Sequence, residues 1–588
     1  MNFLSRILGL AFILIFGLVA CKKSTNNSMP LNTVSVRLDA EPDRIHPLFS
    51  VTSVADQIEQ QVFQALAEYD PVKMELYPVL ATNLPKPSQS PNNPEQYVYD
   101  FEIRKEAKWD DGSPVTAYDY IFSLKAAFNP LSPSKTLRGL LYQIVDVTPD
   151  LQNVKRFSVT VANIDILNDY LTTNFKILPE YIYDPNQVLR SFTISDLRNP
   201  DTAKEISKTS QLLKDYSSVM MNEDFSRRLI SGSGAYQLIS WETGKSLILE
   251  RKENWWADEL HEESILLQAH PRQIAYYIVP DEVAVSSLIR EGSLDIIGGL
   301  NAENFFSLKN EDKTSDNYQF INPPVSKTYY LSLNTKGKLI NDVAVRKALS
   351  MLLDYDLIND NLMHGLGIRF EGPFHPSKSF YDSSLALSEF DLNGASELLN
   401  NAGWSDSDDD GILDKDINGQ NIPLQLEYAT SPGGIGEDIG LILKENAKKA
   451  GIEIDLDIRR FNLILPDLRR RDFDIVAMGR STSPGLEDPY QNWHTGSDNP
   501  SGRNFSGFGN ELTDSLIMEI RHNLDSEKQM EAYHAFQKEF VADQPIISLF
   551  APPGYIAVKK GLELVSGTIS PGYFVNTAQT SKKVPLAN

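Results

Sequence analysis

Strand-type and helix-type apolar patterns take turns along most of this sequence, and that alternation restricts the chain to a mixed α/β fold. Gln273 to Val279 (QIAYYIV) reads as a buried strand, Val283 to Arg290 as a helix, and Leu294 to Ile297 as the next strand. Tyr329 to Asn334 starts a second unit, followed by a helix with Val343, Val345, Leu349 and Leu352 on its inward side. A third runs through the helix Gly436 to Ala450 and the strands Ile452 to Ile458 and Phe473 to Met478. Upstream, Val34 to Leu38 and Tyr97 to Ile103 alternate as half-buried strands do, and Ile58 to Leu66 carries a helical face. Residues 85–96 are rich in Pro and Asn and read as a loop, and Thr116 N-caps a helix. The last helix, Glu527 to Ala542, precedes strands at Ile546 to Phe550 and Tyr555 to Val558. These blocks do not form a repeat array. At 588 residues the chain is too long for one core, which stops growing near ~250–300 residues, so two or three lobes are expected.

Charge narrows the function. The 55 basic and 79 acidic side chains give a net charge of −24, which repels nucleic acid. Cys21 is the one cysteine, so no disulfide, Cys-based metal site or redox pair forms within the chain. Its position explains it. Asn2 to Arg6 is a short polar start, and Ile7 to Ala20 is a 14-residue apolar run broken only by Gly9 and Gly17. That is shorter than the ~20 residues that span a bilayer and fits an export signal. Leu18-Val19-Ala20-Cys21 resembles a bacterial lipobox. The resemblance implies cleavage after Ala20, lipid on the Cys21 sulfur and acylation of the new amine. Lys22 to Pro30 reads as a flexible tether, which leaves the globular part outside the cytoplasm, facing the periplasm or the cell exterior.

A longer pattern is carried by Tyr99 to Phe128 (YDFEIRKEAKWDDGSPVTAYDYIFSLKAAF), in particular Phe101, Arg104, Trp109, Asp111, Gly112, Pro114, Thr116, Ala117, Asp119, Phe122 and Ser123. Further blocks follow in order: Leu76 to Ala81, Gly232 to Tyr236 with Trp241 and Asn254-Trp255-Trp256, Glu291 to Asp295, Val345 to Leu349 with Asp354, Ala402-Gly403-Trp404 and Pro545-Ile546-Ile547. In their number and fixed order these blocks resemble the family 5 bacterial extracellular solute-binding proteins, the dipeptide, oligopeptide and nickel receptors of ABC importers.

The resemblance implies a periplasmic-binding-protein type II fold in its large three-lobe form, with an inserted domain and a two-segment hinge. The expected division is 1–20 signal, 21–33 lipidated tether, 34–75 first part of lobe I, 76–230 lobe II, 231–321 second part of lobe I, 322–545 lobe III and 546–588 the return to lobe I. The hinge segments are expected near Asn322 to Tyr330 and Asp543 to Phe550. The implied function is a lipid-anchored, monomeric receptor that is not an enzyme and needs no cofactor. It captures a small solute, with peptide the leading candidate, and delivers it to membrane permease subunits. The alternative is a sensory or scavenging lipoprotein for a metal chelate or sugar, without its own importer.

The family pattern favours four cleft stretches, and from them come the candidate ligand residues Ser50, Thr52, Tyr329, Tyr330, Arg480, Thr482 and Trp493. Peptide-binding members place an Asp after the strand corresponding to Phe473 to Met478, where it takes the ligand's amine. Here that stretch runs Gly479 to Tyr490 without it, and Glu487 and Asp488 lie further on. Arg480 suits an anionic group by type, with a surface or interlobe salt bridge the leading alternative, and Tyr329 and Tyr330 suit a cleft or a core equally.

Asp406, Asp408, Asp410 and Gly411 match the start of a calcium loop, with Asp414 just beyond, but Ile417 stands at the twelfth position. The strand pattern Ile422 to Tyr428 replaces the exiting helix, so a polar turn is the expectation. The eight histidines, His46 and His494 among them, form no paired-ligand spacing. No nucleotide loop or nucleophile elbow is present, so no catalytic residue is assigned.

Overall fold

The strand Thr33–Leu38 sits inside a seven-stranded sheet whose other strands arrive from far along the chain. The computed structural model describes residues 32–499, 502–523 and 525–580, so Cys21 and the tether up to residue 31 lie outside the described residues. The sheet order is Tyr318–Ile321, Ile556–Lys559, Ile296–Ile297, Thr33–Leu38, Gln273–Ile278, Ser246–Arg251 and Tyr236–Glu242. Thr33–Leu38 pairs in parallel with Ile296–Ile297 and with Gln273–Ile278, and the helix Glu282–Glu291 connects those two neighbours. A parallel connection needs such a crossover, which is why strand–helix–strand blocks appear in the sequence. Ser35 locks the centre: its N–H and hydroxyl donate to Asp295 at 2.9 and 2.7 Å.

Between the first strand and Tyr236 the chain builds a four-stranded antiparallel sheet of Ser88–Gln89, Tyr97–Glu102, Arg156–Val161 and Ile144–Pro149. Ser88–Gln89 corrects the expectation of an uninterrupted loop over 85–96. The helix Ala117–Phe128 covers this sheet, and Thr116 starts it as expected. The Asp119 carboxylate accepts the Thr116 N–H at 2.8 Å and the Glu180 N–H at 3.1 Å, tying the helix start to a later segment. Arg104 donates to the Val79 and Pro78 carbonyls at 3.0 and 3.3 Å. These residues of the family pattern therefore brace the fold. One continuous apolar cluster runs from Val36 and Ile274 through Val62 to Phe101, Tyr120 and Phe157, so the two sheets share a core. Gly232 and Gly234 permit this junction: a Cβ on either would sit 2.2 or 2.6 Å from a carbonyl at the end of the helix Ser53–Val62. That helix stops at Val62, short of the expected Leu66, where Phe63 turns extended.

A six-stranded sheet has its own core. Its order is Ile368–Arg369, Ile546–Ala551, Lys327–Leu333, Ile475–Ser481, Gln425–Thr430 and Glu453–Ile458. Leu331, Leu349, Leu426, Ile475 and Ile547 pack around it, and Phe374, Phe380, Tyr533, Phe536 and Phe540 form a neighbouring aromatic cluster. Burying each such side chain contributes about 1.5–3 kcal/mol. The strand expected over Ile422 to Tyr428 is split, with Gln420–Pro423 in a small hairpin and Gln425–Thr430 in the large sheet.

Two short segments cross between the large sheets. The first, 322–326, links Tyr318–Ile321 to Lys327–Leu333, within the expected range. The second is 552–555, not Asp543 to Phe550, because Ile546–Ala551 pairs with Lys327–Leu333 in the six-stranded sheet. The boundary expected at 545/546 therefore moves past Ala551. The crossings run side by side: Gly554 N–H donates to Pro323 O at 2.7 Å, and Asn322 Nδ2 to Gly554 O at 3.0 Å. Each carries a Pro-Pro pair, Pro323-Pro324 and Pro552-Pro553, whose fixed φ keeps the backbone extended.

Candidate functional site

A cavity of about 670 Å³ opens where the crossings leave the two large sheets. One wall comes from the helix Ser53–Val62 and the segment after it, including Asp56, Glu59, Gln64, Glu68 and Tyr69. Tyr170, Asn174 and Lys176, beyond the four-stranded sheet, extend it. The other wall holds Val325 and Ser326 of the first crossing and Lys327 at the start of the strand after it, then Ser481, Thr482 and Pro484. Clefts of this size hold small ligands.

The first wall is acidic. Glu59 is buried, and its Oε1 accepts the His46 N–H at 2.8 Å. Burial pushes its carboxyl up to about 7; the Ser50 hydroxyl and the His46 N–H oppose this, while Asp56 adds to it. Burial likewise raises the Asp56 carboxyl, with Lys176 opposing and Asp43 reinforcing. Lys176 itself is committed to Glu68 at 2.6 Å. Tyr69 stacks on Tyr170 with ring centroids 6.0 Å apart.

The second wall is built by a strand and the turn after it. Lys327 Nζ lies 4.7 Å from the centre of the Tyr329 ring. Thr482 donates its N–H to Ser326 O at 2.9 Å, extending the pairing of the strands Lys327–Leu333 and Ile475–Ser481. Its side chain is buried, and Oγ1 has no hydrogen-bond partner among the described residues. The second edge of Ile475–Ser481 pairs with Gln425–Thr430 at Ile475 and Val476, and among the described residues no strand pairs with it beyond Val476. The turn that follows is held by Lys378, which donates to Ser483 O and Gly485 O, and by Tyr533, which donates to Glu487 O at 2.7 Å.

Of the seven candidate residues, Thr482 lines the cavity. Ser50 sits behind the first wall, on Glu59. Thr52 caps the helix by accepting the Ala55 N–H at 3.3 Å, and its hydroxyl donates to Asp43 at 2.9 Å. Tyr329 is half-buried beside Lys327, while Tyr330, one residue on, points to the opposite face and packs on the aromatic cluster. Arg480 pairs with Glu487 at 2.9 Å and donates to Pro373 O, so it acts as a brace. Trp493 is a core residue, 5% exposed, with its ring 4.6 Å from Phe540. His494 stacks on Tyr490 at 4.2 Å, away from the cavity lining. Neither acidic residue of the turn is free: Glu487 takes Arg480, and Asp488 takes Arg521 at 3.1 Å. Sequence reasoning missed Asp56 and Glu59, because carboxylates one turn apart on a helix read as a solvated face.

Asp406, Asp408 and Asp414 bring carboxylate oxygens within 4.8 Å of one another. The Asp406 carboxylate accepts the Asp410 and Gly411 N–H groups at 3.2 and 3.0 Å, and Asp414 accepts from Ser407, as in a polar turn. The chain then enters the hairpin Asp414–Ile417/Gln420–Pro423. Among the described residues, no helix is long and apolar enough to cross a membrane.

Similarity to known proteins bears on the cleft. The sequence is 25% identical over 557 residues to the oligopeptide-binding protein AppA of Bacillus subtilis, covering 92% of this chain and 90% of that protein. The fold matches the structure of AppA from Bacillus subtilis in complex with a nonapeptide, with a TM-score of 0.64 at 22% identity, covering 94% of this chain and 99% of that one. It also matches HbpA2 from Haemophilus parasuis, with a TM-score of 0.71 at 18% identity, covering 94% and 100%. Family and relatives are binding proteins and not enzymes. The profile of the bacterial extracellular solute-binding proteins, family 5 (middle), matches residues 75–502, and the chain belongs to that family.

Proposed function

We propose that this chain is the lipid-anchored substrate-binding receptor of an ABC importer, and that it captures a peptide in the cleft by closing its lobes about the two crossing segments. The observation that carries this reading is the cavity bounded by both large sheets and by the crossing between them. In this reading the seven-stranded unit is lobe I, the four-stranded unit lobe II, and the six-stranded unit, through Ala551, lobe III. Relatives named as oligopeptide-binding proteins favour peptide as the ligand class. The cleft suits it chemically: beyond Val476 the strand Ile475–Ser481 has, among the described residues, no strand on its second edge, and an extended peptide adds to such an edge. Closure removes water, and each hydrogen bond and charge pair then counts for more.

Lipid on Cys21 would hold the receptor at the membrane near its permease. One acyl chain anchors marginally and two or more anchor stably. Small-angle scattering on the purified protein, with and without a mixed pool of short peptides, tests the reading. Contraction of the radius of gyration on adding the pool supports it; identical profiles overturn it. Mass spectrometry of the mature N-terminus should find an acylated Cys21, and Cys21→Ala should release the protein from membranes.

A further inference from the structure

A second cavity, of about 1030 Å³, lies where the seven-stranded unit meets the turn Trp109 to Gly112 of the four-stranded unit. It is distinct from the cleft, although Trp255 lines both. Strand alternation turns Leu247 and Leu249 into the shared core, so Glu250 and its cross-strand partner Gln237 face the other way and line this cavity. The fixed charges around it balance. Lys252 is committed to Asp110 at 2.5 Å and Arg251 to Asp258 at 2.6 Å. Lys108 and Arg272 then stand against Glu250 and Glu253, and none of these four has an ion-pair partner among the described residues. A free anion would meet the two carboxylates, and a free cation the two bases. A neutral ligand rich in hydroxyls meets neither penalty, because a hydroxyl donates to carboxylates and accepts from guanidinium and amide groups. Trp256, half-buried at the cavity, adds aromatic surface. Its indole N–H donates to Ser233 O at 2.9 Å and to Gln64 Oε1 at 3.1 Å, and the Trp255 N–H donates to Ser233 O at 2.8 Å, so both rings are held in place. Ser233 also lines the cavity, and its buried Oγ has no hydrogen-bond partner among the described residues. Buried polar groups are normally paired, and a ligand hydroxyl would satisfy this one.

We propose that this cavity is a carbohydrate site, separate from the solute cleft, which takes a neutral mono- or disaccharide. The C–H face of one sugar ring lies on the Trp256 indole, apolar surface on aromatic surface. The hydroxyls around that ring bond to Gln237, Glu250 and Arg272, and one reaches Ser233. This goes beyond the receptor reading and does not depend on which solute the cleft captures. One molecule then holds a saccharide and a cleft ligand together, with Trp255 as the wall between them.

The test uses the full mature protein, with glucose, cellobiose and N,N′-diacetylchitobiose as neutral probes and citrate and spermidine as charged ones. Saturation-transfer NMR detects binding, and titration calorimetry measures it. At least one saccharide should bind with a dissociation constant below about 10 mM, and citrate and spermidine should bind more weakly than it does. Trp256→Ala and Arg272→Ala should each weaken that saccharide about tenfold, the scale of one lost ligand contact. Arg272 and Glu253 are exposed, so Arg272→Ala and Glu253→Gln keep the site testable where Trp256→Ala folds poorly. Failure of all three saccharides to bind, or tighter binding of citrate or spermidine, would overturn the carbohydrate assignment. Saccharide affinity that survives Arg272→Ala and Glu253→Gln unchanged would place the sugar elsewhere and overturn the site.

Discussion

Arg521 donates to Asp165 at 2.8 Å across 356 residues of sequence, from the helix Glu511–His522 to the segment that follows the strand Arg156–Val161. The two side chains belong to opposite sides of the cleft. Beside them the Ile166 N–H donates to Arg521 O at 2.7 Å, and Ile166 packs on the aromatic cluster. Arg521 also holds Asp488 at 3.1 Å and lies 4.6 Å over the Tyr490 ring. The group ties the helix Glu511–His522 to the segment after Arg156–Val161, and in the hinged receptor proposed above it would act as a clasp on the closed form.

Arg521→Ala should therefore favour opening. Asp165, whose side chain is 3% exposed, would lose its charged partner, at a cost to the closed form of about 1–3 kcal/mol. Energy transfer between dyes placed on either side of the cleft should fall in the unliganded variant, and ligand affinity should drop. Transfer equal to that of the parent protein would count against the clasp.

Gly485 adopts φ +71°, and a Cβ there would lie 2.2 Å from Tyr69 Oη on the facing wall. Gly485→Ala strains the turn and overlaps Tyr69 as the two walls stand here, so in the proposed hinged receptor it would oppose the closed form. The variant should fold, release ligand faster and stay open in the same energy-transfer assay. Adding Tyr69→Ala should restore part of the closure. A variant that closes normally would show that the two walls meet less tightly than described.

Trp493 and Thr482 should separate stability from binding. Trp493→Ala empties a core site and should cost about 3–5 kcal/mol in urea unfolding, with little change in ligand affinity per folded molecule. Thr482→Val removes an unpartnered buried hydroxyl, so stability should hold or rise while affinity falls about three- to tenfold. The reverse pattern would return Trp493 to the cleft.

Glu59 sets a pH dependence. Its carboxyl is raised from 4.5 to about 7 by burial. Below pH 4.5 it is protonated in both folded and unfolded chains, and its stabilising contribution is fully present. As pH rises the unfolded chain releases the proton first, so stability falls through about pH 7, by up to about 3 kcal/mol from this site. Glu59→Gln keeps an acceptor for the His46 N–H without the titration, and should lose less stability across that window. Equal losses in urea midpoints would contradict the assignment.

The strand–helix–strand blocks and the Thr116 helix were legible in the sequence because local periodicity specifies them. Sheet membership was less so. Ile546–Ala551 has a strand pattern that suits either large sheet, and only its pairing with Lys327–Leu333 decides. The first crossing was readable from Asn322 onward, whereas the second hides between two adjacent strands. In the cleft, Thr482 could be placed by its position after a strand. Trp493 and Tyr330 could not, since an aromatic side chain beside a cleft has the same composition as one packed under it. Arg480 and Asp488 were settled by long-range ion pairs that no local pattern encodes.

Native mass spectrometry of the mature protein, purified gently from the cells that make it, would settle whether the cleft captures peptides. A hinged peptide receptor should carry short peptides, released on denaturation and sequenced in the same experiment, and emptied protein should take them up again one to one. Protein that carries no peptide, and that fails to gain mass from any peptide offered to it, would contradict peptide capture.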